Sequence, residues 1–211
     1  MEHSCLIFDL DGTISDPKEG IVKSLNYALS AHGFEQQNED FLATFIGPPL
    51  DITFKQLTQS SDDALIFSLV AKYRERYSEV GFAENVLYEG VPDALERLLS
   101  AGFKLGVCTS KRVDFAERIL SLFELRDCFQ FINGGEIGVE KWQQLESLKQ
   151  NNQIGGDALM IGDRYVDLTA AHKNGLASAG VLWGYGSPEE LEEHEPAYLF
   201  ASPNDLLKLI G

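Results

Sequence analysis

Short apolar runs recur along the chain at 4–8, 103–108, 129–132, 158–161, 178–183 and 198–200, each of strand length. Between the later runs, apolar positions return at helical spacing. They predict helices over 92–100, 113–123, about 141–150 and 166–173, with Gly102 and Gly175 as stops. Ser187-Pro188-Glu189-Glu190 reads as the cap of a short helix, and Ser202-Pro203 as the opening of a last one. The stretch after the first run differs. Residues 20–32 place Ile21, Leu25, Ala28 and Leu29 on one face and stop at Gly33. Further helices are predicted over 38–45, 51–58 and 62–79, with Gly47-Pro48-Pro49 as a break, and no alternating run appears between 16 and 85.

Short strands alternating with helices imply right-handed crossovers and a parallel sheet covered on both faces. The expected class is α/β, with a Rossmann-like parallel-sheet core. The helical stretch interrupts that alternation, so it reads as an inserted all-helical domain. The expected division is 1–15 and 89–211 for the core and 16–88 for the insertion, joined by short linkers near 15–17 and 88–90.

Composition narrows the partners. The 211 residues carry 17 basic and 33 acidic side chains, a net charge of −16. That balance argues against a nucleic-acid polymer, whose phosphates need a basic surface. An anionic substrate would need local positive charge from a metal, a lysine or a helix N-terminus. Cys5, Cys108 and Cys128 show no C-x-x-C spacing and read as core thiols. No segment has the length of a membrane span, and the first strand follows the N-terminus with no basic-then-apolar leader. The expectation is a cytoplasmic protein that does not engage membranes, a monomer or small homo-oligomer.

The chemistry gathers where strands end. Ligands of a parallel sheet bind beyond its carboxyl ends. Asp9 and Asp11 follow the first run, with Gly12 allowing a sharp turn; Thr109, Ser110 and Lys111 follow the second; Gly162, Asp163 and Asp167 follow the fourth. Lys141 opens a helix travelling the same way. Each has an ordinary reading taken alone: Asp9 as a turn residue, Thr109 or Ser110 as an N-cap, Asp163 and Asp167 as helix-start acids, Lys141 as a surface side chain. Their joint placement on one rim favours a site. A buried unpaired carboxylate is expensive, and a hard cation such as Mg²⁺ would reverse that cost. A cation at a helix N-terminus such as Lys141 opposes the macrodipole by some tenths of a kcal/mol, a conflict that a bound anion would remove.

These residues resemble the haloacid dehalogenase-like superfamily, in particular its phosphoglycolate-phosphatase-like branch with a helical cap. Asp9-Leu10-Asp11-Gly12-Thr13 matches the D-x-D-G-T first motif, and Gly162-Asp163-Arg164-Tyr165-Val166-Asp167 the G-D-x-x-x-D fourth. Thr109 resembles the second motif and Lys141 the third, although Trp142 stands where many relatives have proline; Lys111 is the competing cation. The resemblance implies a Mg²⁺-dependent phosphatase of small phosphorylated metabolites. Asp9 would be the nucleophile that forms an aspartyl-phosphate, and Asp11 the general acid and base. Mg²⁺ would be held by Asp9, the backbone carbonyl of Asp11, and Asp163, with Asp167 as a further ligand or supporting acceptor. Thr109, Ser110 and Lys141 would grip the phosphoryl oxygens.

The inserted helices would act as a lid, with Gly47 in the Gly47-Pro48-Pro49-Leu50 segment facing substrate. Similar segments occur in relatives acting on small phosphomonoesters, 5′-nucleotides included. Phe41, Phe45, Phe54, Tyr73 and Tyr77 fit either a nucleoside pocket or, at their helical spacing, the core of the insertion. Alternatives share parts of this reading. A sugar phosphomutase would use the same aspartates but shield the phospho-enzyme from water. A dehalogenase has no need for the Asp11/Asp163 pair. Phosphonate cleavage would need a cap lysine, which Lys18, Lys23, Lys55 and Lys72 do not signal. A regulatory binding protein would be expected to have lost Asp9, Asp11 or Asp163, and all three remain.

Overall fold

The first strand, β1 (Cys5–Phe8), turns Leu6 and Phe8 into one apolar cluster and Cys5 and Ile7 into another, so both of its faces are covered. The computed structural model describes residues 2–136 and 138–211. In chain order β1 is followed by β2 (Ser15–Asp16), α1 (Lys18–Ala31), α2 (Glu39–Ala43), α3 (Leu50–Thr58), α4 (Asp63–Glu79) and β3 (Val86–Leu87). Then come α5 (Val91–Ser100), β4 (Lys104–Cys108), α6 (Val113–Leu122), β5 (Phe131–Asn133), α7 (Lys141–Gln150), β6 (Leu159–Gly162), α8 (Tyr165–Lys173), β7 (Ala177–Val181), α9 (Pro188–Glu192) and β8 (Tyr198–Phe200).

Six strands form one parallel sheet in the order β5-β4-β1-β6-β7-β8. The chain adds strands to one side of β1 through β5, then crosses back to place β6 on the other. The switch point, where such sheets bind ligands, therefore lies between β1 and β6. Helices α5 and α6 pack on the Leu6/Phe8 face, and α7 and α8 on the Cys5/Ile7 face. Cys5 and Cys108 are buried in the second of these layers, where burial pushes their thiols up to about 11 and about 12. That matches their reading as core residues.

The four helices inserted after β2 have their own apolar core, built on Leu25, Leu29, Leu42, Phe54, Leu69 and Tyr77, which also takes Phe115 from α6. This is the helical cap. Asn38 and Asp62 accept hydrogen bonds from the first turns of α2 and α4, as good N-caps do. Phe54, Tyr73 and Tyr77 are buried in the cap core, whereas Phe41 is exposed.

Two details differ from the sequence pattern. Where only linkers were expected, Ser15 and Asp16 pair antiparallel with Leu87 and Val86. Two residues per strand are too few to leave a periodicity. The final segment, Pro203–Ile210, is a run of 3₁₀ turns rather than an α-helix. Leu206 is buried in the core beneath it, and Leu207 and Leu209 pack against the same cluster. No helix among the described residues is long and apolar enough to cross a membrane.

The start of α1 meets the 3₁₀ turn that follows α4 (Gly81–Ala83) at a backbone-to-backbone contact. The Gly20 amide donates to the Glu84 carbonyl (3.2 Å), and a Cβ added at Gly20 would lie 2.0 Å from the Gly81 carbonyl oxygen. Alanine gains about 1 kcal/mol of helix propensity over glycine. Overpacking costs about 1–3 kcal/mol, and here a backbone oxygen has to move. Gly20→Ala should therefore lower unfolding free energy by a net of up to ~2 kcal/mol in urea denaturation; a stabilised variant would contradict this packing.

Candidate active site

β1 is the central strand, so its carboxyl end is flanked by the ends of β4 and β6. Phe8 is level with Val107 on one side and Ile161 on the other, and the Asp9 amide donates to the Ile161 carbonyl (2.9 Å). By that register Asp9 is level with Cys108 and Gly162, the residues just before Thr109 and Asp163. Gly12 adopts φ +83° at the turn that follows. Asp9, Asp11, Thr109, Lys141, Asp163 and Asp167 are all buried.

One oxygen from each of Asp9, Asp163 and Asp167 lies within 4.8 Å of the others. The Lys141 ammonium is 3.0 Å from Asp9 Oδ1 and donates to Asp167 Oδ1. Asp163 accepts from the Tyr185 amide (2.8 Å) and the Thr13 hydroxyl (3.3 Å), and Asp167 from the Arg164 amide (3.1 Å). These bonds aim the carboxylates at one point. Burial pushes Asp163 well above the ordinary carboxylate range, and the neighbouring Asp167 and Asp9 push the same way. Burial raises Asp167 to about 6 against the pull of Lys141. Burial alone would lower Lys141, but Asp167 and Asp9 outweigh it and hold the ammonium charged.

Three buried carboxylates facing one ammonium carry excess negative charge. Asp9 Oδ1, although ion-paired, is without a hydrogen-bond partner among the described residues. An all-oxygen donor set with that charge fits a hard divalent cation.

Asp11 faces the cap instead. Its carboxylate pairs with Lys111 Nζ (2.8 Å), which also donates to the Tyr77 hydroxyl (2.8 Å) and sits 4.6 Å from the Tyr77 ring centroid. Burial raises the Asp11 carboxyl, and Lys111 opposes the rise. Thr109 Oγ1 accepts from the Lys111 amide (3.2 Å), and the Thr109 carbonyl from Gln144 Nε2 (3.1 Å). A cleft, open to solvent, runs between core and cap. Asp11, Ser110 and Lys111 form its floor, and Phe45, Gly47 and Pro48 part of its wall.

Thus Asp9, Lys141, Asp163 and Asp167 form one cluster, and Asp11, Ser110 and Gly47 line the adjoining cleft, with Thr109 between. The two lysines have different partners: Lys141 joins the acidic cluster and Lys111 joins Asp11 to the cap. Sequence reasoning gave no part to Thr13, Tyr77 bonded to Lys111, Gln144, Arg164 or Tyr185. Thr13 and Arg164 lay inside the motifs already read. Tyr185 and Gln144 carried no local signal, because only the sheet brings them to the rim.

The family model for haloacid dehalogenase-like hydrolases matches residues 6–181. The chain is 40% identical to the 5′-nucleotidase of Pseudomonas aeruginosa over 95% of its own length and 92% of that protein. It is 30% identical to the phosphoglycolate phosphatase of Aquifex aeolicus, covering 97% of this chain and 95% of the relative. A predicted phosphatase of Clostridium acetobutylicum superposes with a TM-score of 0.93 at 35% identity, covering 99% of this chain and 98% of that one. With the family match spanning the sheet that carries Asp9 and Asp163, the chain belongs to the haloacid dehalogenase-like hydrolase family and is one of its phosphatases.

Proposed function

We propose that the protein hydrolyses small phosphomonoesters, of the 5′-nucleotide or phosphoglycolate kind, with Mg²⁺ and through an aspartyl-phosphate at Asp9. The observation that carries this reading is the division of the two motif aspartates. Asp9 lies in the acidic cluster beside Lys141, while Asp11, one residue on, faces the cleft beside Lys111. In this reading residues 1–15 and 89–211 are the catalytic core and 16–88 the lid.

The Asp9 carboxylate attacks phosphorus, forming the acyl-phosphate bond as the ester P–O bond breaks. Asp11 gives its proton to the departing alkoxide oxygen, a role favoured by the upward push of burial on its carboxyl. Asp11 then takes a proton from the water that attacks the intermediate, and phosphate leaves with Asp9 restored. The Thr109 hydroxyl, the Lys141 ammonium and donors at Ser110 would hold the non-bridging oxygens and stabilise charge as the group transfers. Asp9, Asp163 and Asp167 would hold Mg²⁺, joined by the Asp11 backbone carbonyl that the family resemblance adds; when bound it supplies charge neutralisation for the carboxylates and the phosphoryl oxygens.

The cleft supports a small organic leaving group, with Phe45, Pro48 and Leu50 as apolar wall. The 5′-nucleotidase relative favours a nucleoside in that place. A small phosphorylated metabolite in a reducing cytoplasm agrees with the unpaired cysteines.

A phosphate-release screen over 5′-nucleotides, phosphoglycolate and sugar phosphates tests the reading. Asp9→Asn should fall to background on every ester while keeping a wild-type unfolding curve; near-normal turnover in a sample free of deamidation would remove the covalent route. Measured in the single-turnover burst that reports phosphoryl transfer to Asp9, Asp11→Asn should lose about 10²–10⁴-fold on alkyl esters, and much less on p-nitrophenyl phosphate, whose leaving group departs without a proton. Equal losses on both would deny Asp11 the acid role. Excess chelator should stop turnover and added Mg²⁺ restore it, with undiminished activity in chelator as the contrary result.

A further inference from the structure

Arg164 is the first variable residue of Gly162-Asp163-Arg164-Tyr165-Val166-Asp167. Its amide holds Asp167, but its side chain leaves the sheet edge for the cap. Nη1 donates to the Ile46 carbonyl and, at 3.5 Å, to the Thr44 carbonyl, while Nε donates to Glu190 Oε1 at 2.9 Å. Glu190 is itself fixed. Its Oε1 also accepts from the Tyr165 amide (2.9 Å), and its own amide donates to Ser187 at the start of α9.

The path of the arginine is open because residue 47 is glycine. A Cβ there would sit 3.1 Å from Arg164 Cγ and 3.6 Å from Nη1, and the φ of +114° is one that other residues rarely adopt. Ile46 and Gly47 begin the segment that walls the cleft opposite Ser110 and Lys111. Two other polar ties between core and cap, Lys111 to Tyr77 and Arg118 to the Ser78 carbonyl, reach the far end of α4, and the Tyr185 hydroxyl donates to Asp16 at the entry to the cap.

We infer that Arg164 is a positioning residue that holds the 44–50 segment of the cap over the cleft, so that the segment running from Asp163 into α8 also sets the wall against which the ester's leaving group packs. The planar fork suits the task, since one guanidinium serves a carboxylate on the core and carbonyls on the cap in fixed directions. A lysine ammonium also carries several donors, but it lacks the fixed plane that sets Nε toward Glu190 and Nη1 toward the cap carbonyls. Closure of the wall is thereby tied to the segment that carries two of the three clustered carboxylates. The kinetic consequence rests on the phosphatase reading; the mechanical one does not.

The full chain as Arg164→Ala, Arg164→Lys and Glu190→Gln gives the test, read by amide hydrogen exchange and by kinetics on a nucleoside 5′-monophosphate and on p-nitrophenyl phosphate. In Arg164→Ala the amides of Thr44, Phe45 and Ile46, which donate to Phe41, Leu42 and Ala43, should exchange about ten- to a hundredfold faster, the scale of one lost charge-assisted hydrogen bond, while those of Leu168 to Ala171 stay protected. KM for the nucleotide should rise by a similar factor, about tenfold or more, with kcat changed less than about threefold, the pattern of lost ground-state binding. The rise should be smaller for p-nitrophenyl phosphate, and Arg164→Lys should fall between wild type and Ala. If Arg164→Ala does not fold, Glu190→Gln is read by the same criteria, because it loosens the same guanidinium. Unchanged exchange at 44–46 together with unchanged KM would overturn the inference. A wild-type protein that released no phosphate from any ester would instead remove the phosphatase reading, and the exchange comparison would still decide the hold.

Discussion

Asp9, Asp163 and Asp167 are buried within reach of one another, with a single ammonium, Lys141, among them. Taking an ion out of water costs several kcal/mol even after relaxation, and like charges held together add to it. The surrounding structure is arranged around that cost. The Tyr185 amide and Thr13 hydroxyl hold Asp163, the Arg164 amide holds Asp167, and Lys141 spans Asp167 and Asp9. Such an arrangement needs a rigid frame, and a parallel sheet buried on both faces provides it. A divalent cation suits the excess charge that remains.

The two lysines divide the site into halves with different chemistry. On the Lys141 side, three carboxylates share an environment suited to holding a cation and a phosphoryl group. On the Lys111 side, Asp11 is paired with an ammonium that also touches Tyr77, so the group proposed as general acid is in contact with the lid. Neighbouring aspartates with unlike surroundings are what an acid-and-nucleophile pair requires. The cap approaches this floor from two directions, through Tyr77 at the end of α4 and through the 44–50 segment bound by Arg164.

Much of the architecture was legible because its signals are local. A strand run that ends in Asp9-Leu10-Asp11-Gly12-Thr13, and a second that ends in Gly162-Asp163, announce a rim of carboxylates once the strands are recognised as parallel. The helical insertion was legible from the absence of alternation. Other features left no such mark. Tyr73 and Tyr77 are apolar-face residues of one helix by pattern, and only packing makes Tyr77 a partner of Lys111. The β2–β3 pair is too short to have a period. The last segment keeps the capping signature of a helix yet is wound as 3₁₀ turns, with Leu206, Leu207 and Leu209 against the core.

By itself the sequence determined the α/β class, the interruption by helices and the identity of the carboxylates at the strand ends. Each follows from periodicity or from a residue type that is costly to bury without a purpose. The tertiary structure decided which lysine stands with which aspartate, which cap aromatics are core, and what Arg164 reaches. Those choices depend on strand order and on how the cap lies across the sheet, and contacts between residues far apart in the chain leave no imprint on the local spacing of either one.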